Sequence, residues 1–291
     1  MTRSMGFGEK MFDVVVWIIL ILVTLAVIIP LWYLLMVSVT PFDLWTRTGG
    51  TLFVAPWQMT FEGYRQLLTS PRLPRAFGVS VFITTVGTLL NLIVTTLMAY
   101  PLSKSNFPLR KPILLAVLFT TLFSGGMVPT YLVVRQLGLL NNYGSLMLPG
   151  LVSAFNLLVM IAFFRNLPAE IEEAATIDGA SDWQVLWHIV LPLSKPILAT
   201  IGLFYAVAHW NSFFDAVLYI SNAEMQPLQV VLRSILSAGN VNEYVDPDAA
   251  LMPQETLRMA AVVLTTLPLL FVYPLLQKHF TAGTLLGSVK E

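Results

Sequence analysis

EEAATIDGAS, residues 172–181, is a charged segment between two long apolar runs. Pro168, four residues before it, suits the first turn of a helix because its missing N–H has no partner to lose there. Glu172 and Glu173 put negative charge near the positive end of the helix dipole. Gly179 suits the left-handed conformation that commonly ends a helix. The segment therefore predicts a short helix that ends at Gly179.

A second short helix is expected to follow the first. Ser181 or Asp182 can cap its first turn, and Pro192 should end it. One face of the first helix carries, at helical spacing, Ile171, Ala174, Ala175 and Asp178. The two alanines leave that face shallow, so the backbone of another protein can approach closely. The pattern predicts a helix–turn–helix that lies across one face of a membrane and is bound by a partner.

The same residues carry a family resemblance. The spacing Glu-Ala-Ala, three residues, Gly, nine residues, Ile-x-Leu-Pro is complete from Glu173 to Pro192. It resembles the cytoplasmic coupling loop of the permease subunits of binding-protein-dependent ABC importers, which docks into a cleft on a separate ATPase and transmits its motion. An amphipathic helix resting on lipid headgroups is the alternative, and the length of the match favours the coupling loop. The residues to which the resemblance gives the coupling role are Glu172, Glu173, Ala174, Ala175, Asp178 and Gly179.

Composition identifies the class of protein. The 291 residues are 56% hydrophobic and 11% charged, with no net charge, whereas soluble domains carry about 25% charged residues. The mean hydropathy is +0.76. A polytopic membrane protein is therefore expected, without a basic surface for nucleic acid. The absence of cysteine excludes disulfides and thiolate metal sites. The first apolar run is interpreted as a retained span and not as a signal peptide.

Charge-free windows predict six membrane-spanning helices, since each is roughly long enough to cross a ~30 Å hydrocarbon core. The windows are 14–42, 76–103, 112–134, 136–164, 196–214 and 259–277. The predicted fold is thus all-α, and the resemblance implies the type I ABC importer core, which is MetI-like. The predicted divisions are 1–75, a core of 76–278 containing a coupling loop 165–195 and an external loop 215–258, and a tail 279–291.

Six spans place both termini on one side of the membrane. The short loop from Lys104 to Lys111 is rich in basic residues, and the positive-inside rule acts mainly through short loops. We therefore expect cytoplasmic termini in a multi-pass protein of the inner membrane. This orientation also places residues 165–195 in the cytoplasm.

Further stretches are similar to carbohydrate-importer permeases of the polysaccharide/lipo-oligosaccharide type. They are Phe123–Thr130, Leu148–Asn156, His209–Phe214, Pro227–Arg233 and Gly287–Lys290. The resemblance implies a pathway shared with a homologous second permease, an ATPase dimer that holds ATP and Mg²⁺, and an extracytoplasmic sugar-binding protein. The chain itself has no Gly-x-x-x-x-Gly-Lys-Ser/Thr phosphate loop, so we expect neither catalysis nor a bound cofactor here. Its histidines are too dispersed to suggest a metal site.

Polar residues at membrane depth are the candidates for substrate contact, because each is costly in hydrocarbon. The predicted pathway residues are His209, Trp210, Asn211, Asp215 and Asn156. Trp210 and Asn211 suit a sugar, offering an aromatic face and an amide that both donates and accepts. A tryptophan anchored at the membrane interface is an equally good interpretation of Trp210. For Asn156, as for Asn91, the position within a span favours a hydrogen bond between helices over a ligand contact.

The external loop divides into two parts. Leu228, Val231, Leu232 and Ile235 share a helical face, which predicts an interfacial helix. Residues 238–255 are small, polar and acidic, and form either a solvated cap or a protrusion that enters the cleft of the binding protein. Two other function classes compete with the importer permease: a stand-alone secondary transporter of a small polar solute, and a membrane-embedded enzyme. The chain shows neither the internal repeats of the first nor the clustered acids and histidines of the second.

Overall fold

The computed structural model of the protein describes the backbone of residues 7–50, 52–237 and 252–288, with side chains as far as Phe271. Within these ranges all regular structure is helical. The helices are α1 (Phe7–Ser38), α2 (Phe42–Thr48), α3 (Glu62–Thr69), α4 (Arg72–Ser103), α5 (Arg110–Leu122), α6 (Met127–Gln136), α7 (Gly144–Met147), α8 (Ala154–Arg165), α9 (Ala169–Ile177), α10 (Asp182–Val185), α11 (Leu191–Leu193), α12 (Lys195–Trp210), α13 (Phe214–Tyr219), α14 (Leu228–Ser237) and α15 (Gln254–Ser288). Short 3₁₀ turns cover Pro56–Gln58 and Ala223–Met225.

The chain forms two compact units, which do not follow the predicted divisions. The first contains residues 1–71 and 234–266, and the second contains residues 72–233 and 267–291. The first break, after Pro71, lies close to the predicted division at residue 75, and residues 234–237 and 252–258 of the predicted external loop belong to the first unit. Helix α15 runs through the second break without interruption.

The first unit is built on α1, which is apolar around its whole circumference. Its stretch Lys10–Ser38 contains an 18-residue window with a mean hydropathy of 3.2, and none of the residues in that window is buried within the chain. Only its C-terminal end is covered, where Tyr64 on α3 donates a 2.6 Å hydrogen bond to Ser38. Because a helix that is apolar all round is stable only in an apolar medium, α1 is a membrane span that contacts lipid or a partner.

The second unit packs α8 and α12 against α4. One buried cluster of this unit joins the C-terminal end of α4 to α8 and α12 and includes Leu102, Leu157, Met160, Val190 and Ile201. A second cluster lies toward the other end of α4, around Ile83 and Ile220. This packing holds the segments between helices, where the chemistry-bearing residues lie.

Several predicted spans are bent and not straight. Among the described residues, α1 and α4 are long and apolar enough to cross a membrane, and up to five spans result if each of three bent helix pairs is one. The window 112–134 bends by 119° between α5 and α6, where Gly126 has φ of +84°. The window 136–164 contains α7, an irregular stretch at Pro149 and α8. Window 259–277 lies within α15. Gly126 in the first of these windows and Pro149 in the second lie where the helical hydrogen-bond ladder is broken.

Candidate functional site

Helix α9 ends as the sequence predicts, and Pro168 precedes its first turn as the N-cap residue. It covers Ala169–Ile177, directly after Pro168. Gly179 has φ of +86°, and its N–H donates to Thr176 O at 3.0 Å, while Ala180 N–H donates to Ala175 O at 2.9 Å. This pair of bonds is a Schellman motif, which satisfies carbonyls that the end of a helix leaves unpaired. Gly179 suits this position because the left-handed conformation strains most residues that carry a Cβ.

The second arm starts with a capping box. Gln184 N–H donates to Ser181 Oγ, and Ser181 N–H donates to Gln184 Oε1 at 2.8 Å. The arm does not stop at Pro192 as predicted but continues to Leu193. A π-helical turn at Leu186–Val190 shifts the bonding register just before the proline, so its missing N–H does not end the helix there. The chain then bends by 81° into α12. We call the whole unit the helix–turn–helix 169–193.

One predicted coupling residue faces inward. Lys104 Nζ, at the end of α4, donates to Glu172 Oε2, and lies 4.6 Å from the centre of the Tyr100 ring. Burial lowers the pKa of Lys104, and the Asp182 carboxylate opposes this shift. Glu172 therefore ties α9 to α4 and does not point toward a partner.

The predicted shallow face is correct except at one alanine. Ala175 packs against the buried cluster beneath the helix–turn–helix 169–193. The residues of α9 and its turn that remain exposed are Ala169, Glu170, Ile171, Glu173, Ala174, Thr176, Ile177, Asp178 and Gly179. Ile177 is 85% exposed, and Trp183 and Trp187, with ring centres 5.7 Å apart, are also exposed. Sequence reasoning missed these three side chains, although an isoleucine beside an acidic residue and two tryptophans at i, i+4 were visible signals.

A buried polar network crosses the second unit at membrane depth. Asn91 on α4 donates through Nδ2 to Gly150 O and Leu151 O, both at 2.8 Å. Its Oδ1 lies 2.6 Å from His209 Nε2. Since Asn91 uses its amino group on the carbonyls, its oxygen must accept, which assigns the proton to His209 Nε2. Predicted pathway residue His209 is thus engaged in a hydrogen bond between helices.

Tyr205 fixes the same irregular stretch from α12. Its hydroxyl accepts from Ser153 N–H at 3.0 Å and shares a 2.8 Å hydrogen bond with Thr95 on α4. Ser153 in turn caps α8 by accepting from Asn156 N–H. The segment 148–153 is therefore held open as non-helical backbone by side chains of two other helices, as irregular structure at membrane depth requires.

A cavity of about 370 Å³ opens beside this stretch. It is lined by Gly150, Ser153, Phe155, Asn156, Phe204, Tyr205 and Ala208, and we call it the α8–α12 pocket. Asn156 is 5% exposed, and its side-chain amide makes no hydrogen bond with the described part of the chain. Of the predicted pathway residues, Asn156 is the one that lines this cavity, and it makes no side-chain bond to another helix among the described residues.

The other predicted pathway residues point to different surroundings. Trp210 is 6% exposed and packs edge-on against Phe77, with ring centres 5.9 Å apart. Its indole N–H has no acceptor among the described residues. Asn211 is exposed and donates to Val207 O at 2.9 Å, and Asp215 is exposed in the first turn of α13. Trp210 and Asn211 do not form one shared surface, and their role in transport stays a prediction.

A family of transport proteins accounts for this combination of features. The model of the family described as the binding-protein-dependent transport system inner membrane component matches residues 2–285. The chain belongs to this family.

Relatives and a solved structure agree with the permease family. Protein LplC of Bacillus subtilis (strain 168) is 48% identical over 242 residues, which are 82% of this chain and 82% of LplC. The polygalacturonan/rhamnogalacturonan transport system permease protein YtcP of the same strain is 39% identical over 285 residues, covering 97% of this chain and 99% of YtcP. A chain in the crystal structure of a bacterial ABC transporter involved in the import of the acidic polysaccharide alginate matches with a TM-score of 0.88 and 30% identity, over 96% of this chain and 100% of that chain.

Family membership decides between the function classes. The chain is an inner-membrane transport component and not an enzyme, and the predicted all-α importer fold is confirmed. The alternative of a stand-alone secondary transporter is not supported, because the family works with a binding protein.

The external segment of the permease differs in part from its prediction. The predicted helix is present as α14, but Leu228, Val231 and Ile235 are buried within the chain and do not lie against lipid. Leu228 N–H donates to Ser80 Oγ on α4 at 2.8 Å. Residues 238–251 and the end of the predicted tail motif, 289–291, lie outside the described residues.

Proposed function

We propose that the chain is one of two homologous permease subunits that import an oligosaccharide or polysaccharide fragment. An ATPase dimer, which binds ATP and Mg²⁺, docks on the helix–turn–helix 169–193, and an extracytoplasmic binding protein delivers the sugar to the opposite face. Both termini lie in the cytoplasm. The relatives support a saccharide, since YtcP is named for polygalacturonan and rhamnogalacturonan transport and the solved neighbour is involved in alginate import.

The observation that carries this proposal is the two-sided construction of α9. Its inner side is fixed to α4 through Glu172 and Lys104 and to the core through Ala175. Its outer side leaves Glu173, Ala174 and Ile177 exposed. A docked subunit that displaces α9 would therefore also displace α4. The second arm is connected to α12 through the 81° bend at Ser194. Both helices line the interior of the second unit.

Neighbouring alanines provide a sharp test of docking. A single cysteine at Ala174, which is exposed, should form a disulfide or a bifunctional cross-link with the ATPase, whereas one at Ala175, which faces the core, should not. The natural chain has no cysteine, so the background is clean. Equal cross-linking at the two positions would refute the proposed docking face.

Transport itself requires the complete complex in proteoliposomes. Uptake of a labelled galacturonic acid trisaccharide, of an alginate trisaccharide and of neutral maltotriose should be compared, each with its binding protein and internal ATP. We expect uptake of at least one that requires both ATP and the binding protein. Uptake that persists without the ATPase would overturn the importer mechanism.

Orientation is tested with impermeant thiol reagents. A cysteine at Ser181, in the turn of the helix–turn–helix 169–193, should react only from the cytoplasm. One at Asn222, which is exposed after α13, should react only from outside. Labelling of both from the same side would contradict the proposed topology.

A further inference from the structure

The α8–α12 pocket contains hydrogen-bonding groups that the fold itself does not use. Asn156 is 5% exposed as a residue, and its side-chain amide makes no hydrogen bond with the described residues. An amide carries two donors and an acceptor, and because Asn156 lines the pocket these groups can bond to whatever occupies it. The contrast with Asn91 is direct, since that amide is completely buried and uses its amino group and its oxygen on three partners. Asn156 is therefore suited to a partner that enters from the pocket.

Aromatic side chains stand at the mouth of the pocket. Phe155 is 63% exposed and Phe204 is 41% exposed, and their ring centres are 6.3 Å apart with the planes inclined by 46°. Each offers an apolar face beside the amide. A pyranose ring has C–H groups on its faces and hydroxyls on its edge. The aromatic faces can therefore pack against the C–H groups, and the neutral amide can hydrogen-bond to the hydroxyls.

The pocket lies near the middle of the predicted membrane span 196–214. Tyr205 is ten residues beyond Lys195 along α12, which corresponds to about 15 Å of helix, or half of a ~30 Å hydrocarbon core. The pocket volume of about 370 Å³ is at the lower end of the roughly 300–1,000 Å³ that ligand sites occupy. The size suits one sugar ring and not a chain of several.

The lining contains no charged side chain. An acidic saccharide would therefore find no cation here, and the contacts on offer are with ring faces and hydroxyls. The walls are also fixed in place, because Asn91 and Tyr205 hold the Gly150–Ser153 backbone from two other helices. A fixed wall with an unused amide is a preorganised subsite, since little ordering is needed when the ligand binds.

From these observations we propose that the α8–α12 pocket is a subsite for one sugar ring of the transported saccharide, contacted by Asn156, Phe155 and Phe204. This inference rests on the proposed saccharide importer and goes beyond it, because it gives this subunit its own substrate contact and assigns that contact to ring hydroxyls and not to carboxylates. A side chain of the second permease inserted into the pocket is the competing occupant.

The first test compares variants of Asn156 in the complete complex in proteoliposomes. Asn156→Leu keeps the volume and removes the hydrogen bonds, while Asn156→Gln keeps an amide. We expect the first to lower uptake of the galacturonic acid trisaccharide, or of whichever trisaccharide the natural complex takes up, roughly threefold to tenfold, the scale of one lost hydrogen bond. Basal ATPase activity and complex assembly should be unchanged, and Asn156→Gln should restore part of the uptake. A purely structural role predicts instead that uptake, ATPase activity and assembly fall together, and that result would overturn the subsite.

Phenylalanines give a second comparison with a matched control. Phe155→Ala and Phe204→Ala should each reduce uptake, whereas Phe119→Ala, which truncates an exposed aromatic on α5 away from the pocket, should not. Equal effects of all three would contradict the proposal. If the natural complex imports none of the three trisaccharides, the saccharide importer fails and the subsite fails with it. If it imports one and every pocket variant behaves like the natural chain, the importer stands and the subsite is refuted.

Photo-cross-linking identifies the occupant directly. A benzoylphenylalanine at Ala208, which lines the pocket, should capture the labelled trisaccharide during turnover, and unlabelled trisaccharide should compete. The same group at Leu115, exposed on α5 outside the pocket, should not. Capture of the second permease alone at position 208 would assign the pocket to a subunit contact and overturn the proposal.

Discussion

The helix–turn–helix 169–193 and the α8–α12 pocket satisfy their polar groups over very different distances along the chain. At the first, the bonds that end α9 and begin α10 join residues three to five positions apart. At the second, Asn91 reaches a carbonyl 59 residues away and His209 lies 118 residues from its partner. The local sequence therefore specifies the ends of the two helices of the helix–turn–helix 169–193, whereas the walls of the pocket exist only when α4, α8 and α12 are packed together.

This difference predicts how each region fails. A change in the helix–turn–helix should leave a folded permease that no longer responds to the ATPase. A change in the network behind the pocket should remove the folded permease itself. Single substitutions separate these two outcomes, beginning with the one of largest expected effect.

Gly87→Ala should have the largest effect. A Cβ at Gly87 would lie 2.6 Å from His209 Nε2 and within 2.9 Å of two other ring atoms. The imidazole would have to move and release Asn91, which combines overpacking with a lost buried hydrogen bond and costs about 2–4 kcal/mol. We expect a low yield of assembled complex and a lower melting temperature.

The same helix offers a control for that substitution. A Cβ added at Gly78 would meet nothing within 4 Å, so Gly78→Ala should leave assembly unchanged or slightly improved. Adding His209→Ala to Gly87→Ala removes the clash and should recover part of the yield. Normal assembly of the Gly87→Ala complex would show that the network is not required for packing.

Gly179→Val should abolish substrate-stimulated ATP hydrolysis while the complex still assembles. The residue has φ of +86° and nothing within 4 Å of an added Cβ, so the cost comes from backbone strain and not from a clash. Strain of about 1–2 kcal/mol should unwind the Schellman turn and displace the exposed face of α9. Gly179→Asn, which tolerates the left-handed region, should retain most of the stimulation. Full stimulation in the Gly179→Val complex would separate the turn from coupling.

The contrast in range also explains what the sequence could reveal. The proline at the start of α9, the glycine after it and the Ser181 cap are local signals, and each is where the sequence placed it. The orientation of Glu172 depended on Lys104, 68 residues earlier, and no local pattern encodes that pairing. The π-helical turn that carries the second arm past Pro192 was likewise not foreseen.

The predicted pathway residues show more clearly what a sequence pattern alone does not reveal. Polarity at membrane depth singled out His209, Trp210 and Asn156, but adjacent residues on α12 face different surroundings. Whether each packs or lines a cavity is decided by Asn91 and Phe77 on α4. The pocket aromatics Phe155 and Phe204 were missed because phenylalanine is ordinary in a membrane span.

The Lys104–Glu172 pair should have a moderate effect, measurable in a double-mutant cycle. The two side chains are only 30% and 20% exposed, so their coupling free energy should be on the order of 1 kcal/mol, obtained from the unfolding of complexes with Lys104→Met, Glu172→Gln and both. Arg75 and Glu224 form a comparable pair on the other side of the unit but are 55% and 65% exposed, so the same cycle there should give close to zero. Equal coupling in the two pairs would mean that Lys104 does not anchor α9.

Trp210→Phe should have the smallest effect, and it separates packing from transport. The indole N–H has no acceptor among the described residues, so its removal sacrifices no hydrogen bond there, and a phenyl ring can keep the edge-on contact with Phe77. We expect the free energy of unfolding, followed through the melting temperature, to change by less than about 1 kcal/mol. The uptake kinetics should match those of the natural complex. Asn211→Ala, which loses only an exposed bond to Val207 O, should behave in the same way. If the sugar instead contacts this end of α12, as the sequence first suggested, uptake should fall in one or both variants while assembly and basal ATPase activity persist. Uptake measured beside Asn156→Leu in the same preparation then decides which face of α12 meets the substrate, because the two proposals predict opposite rankings of the three variants.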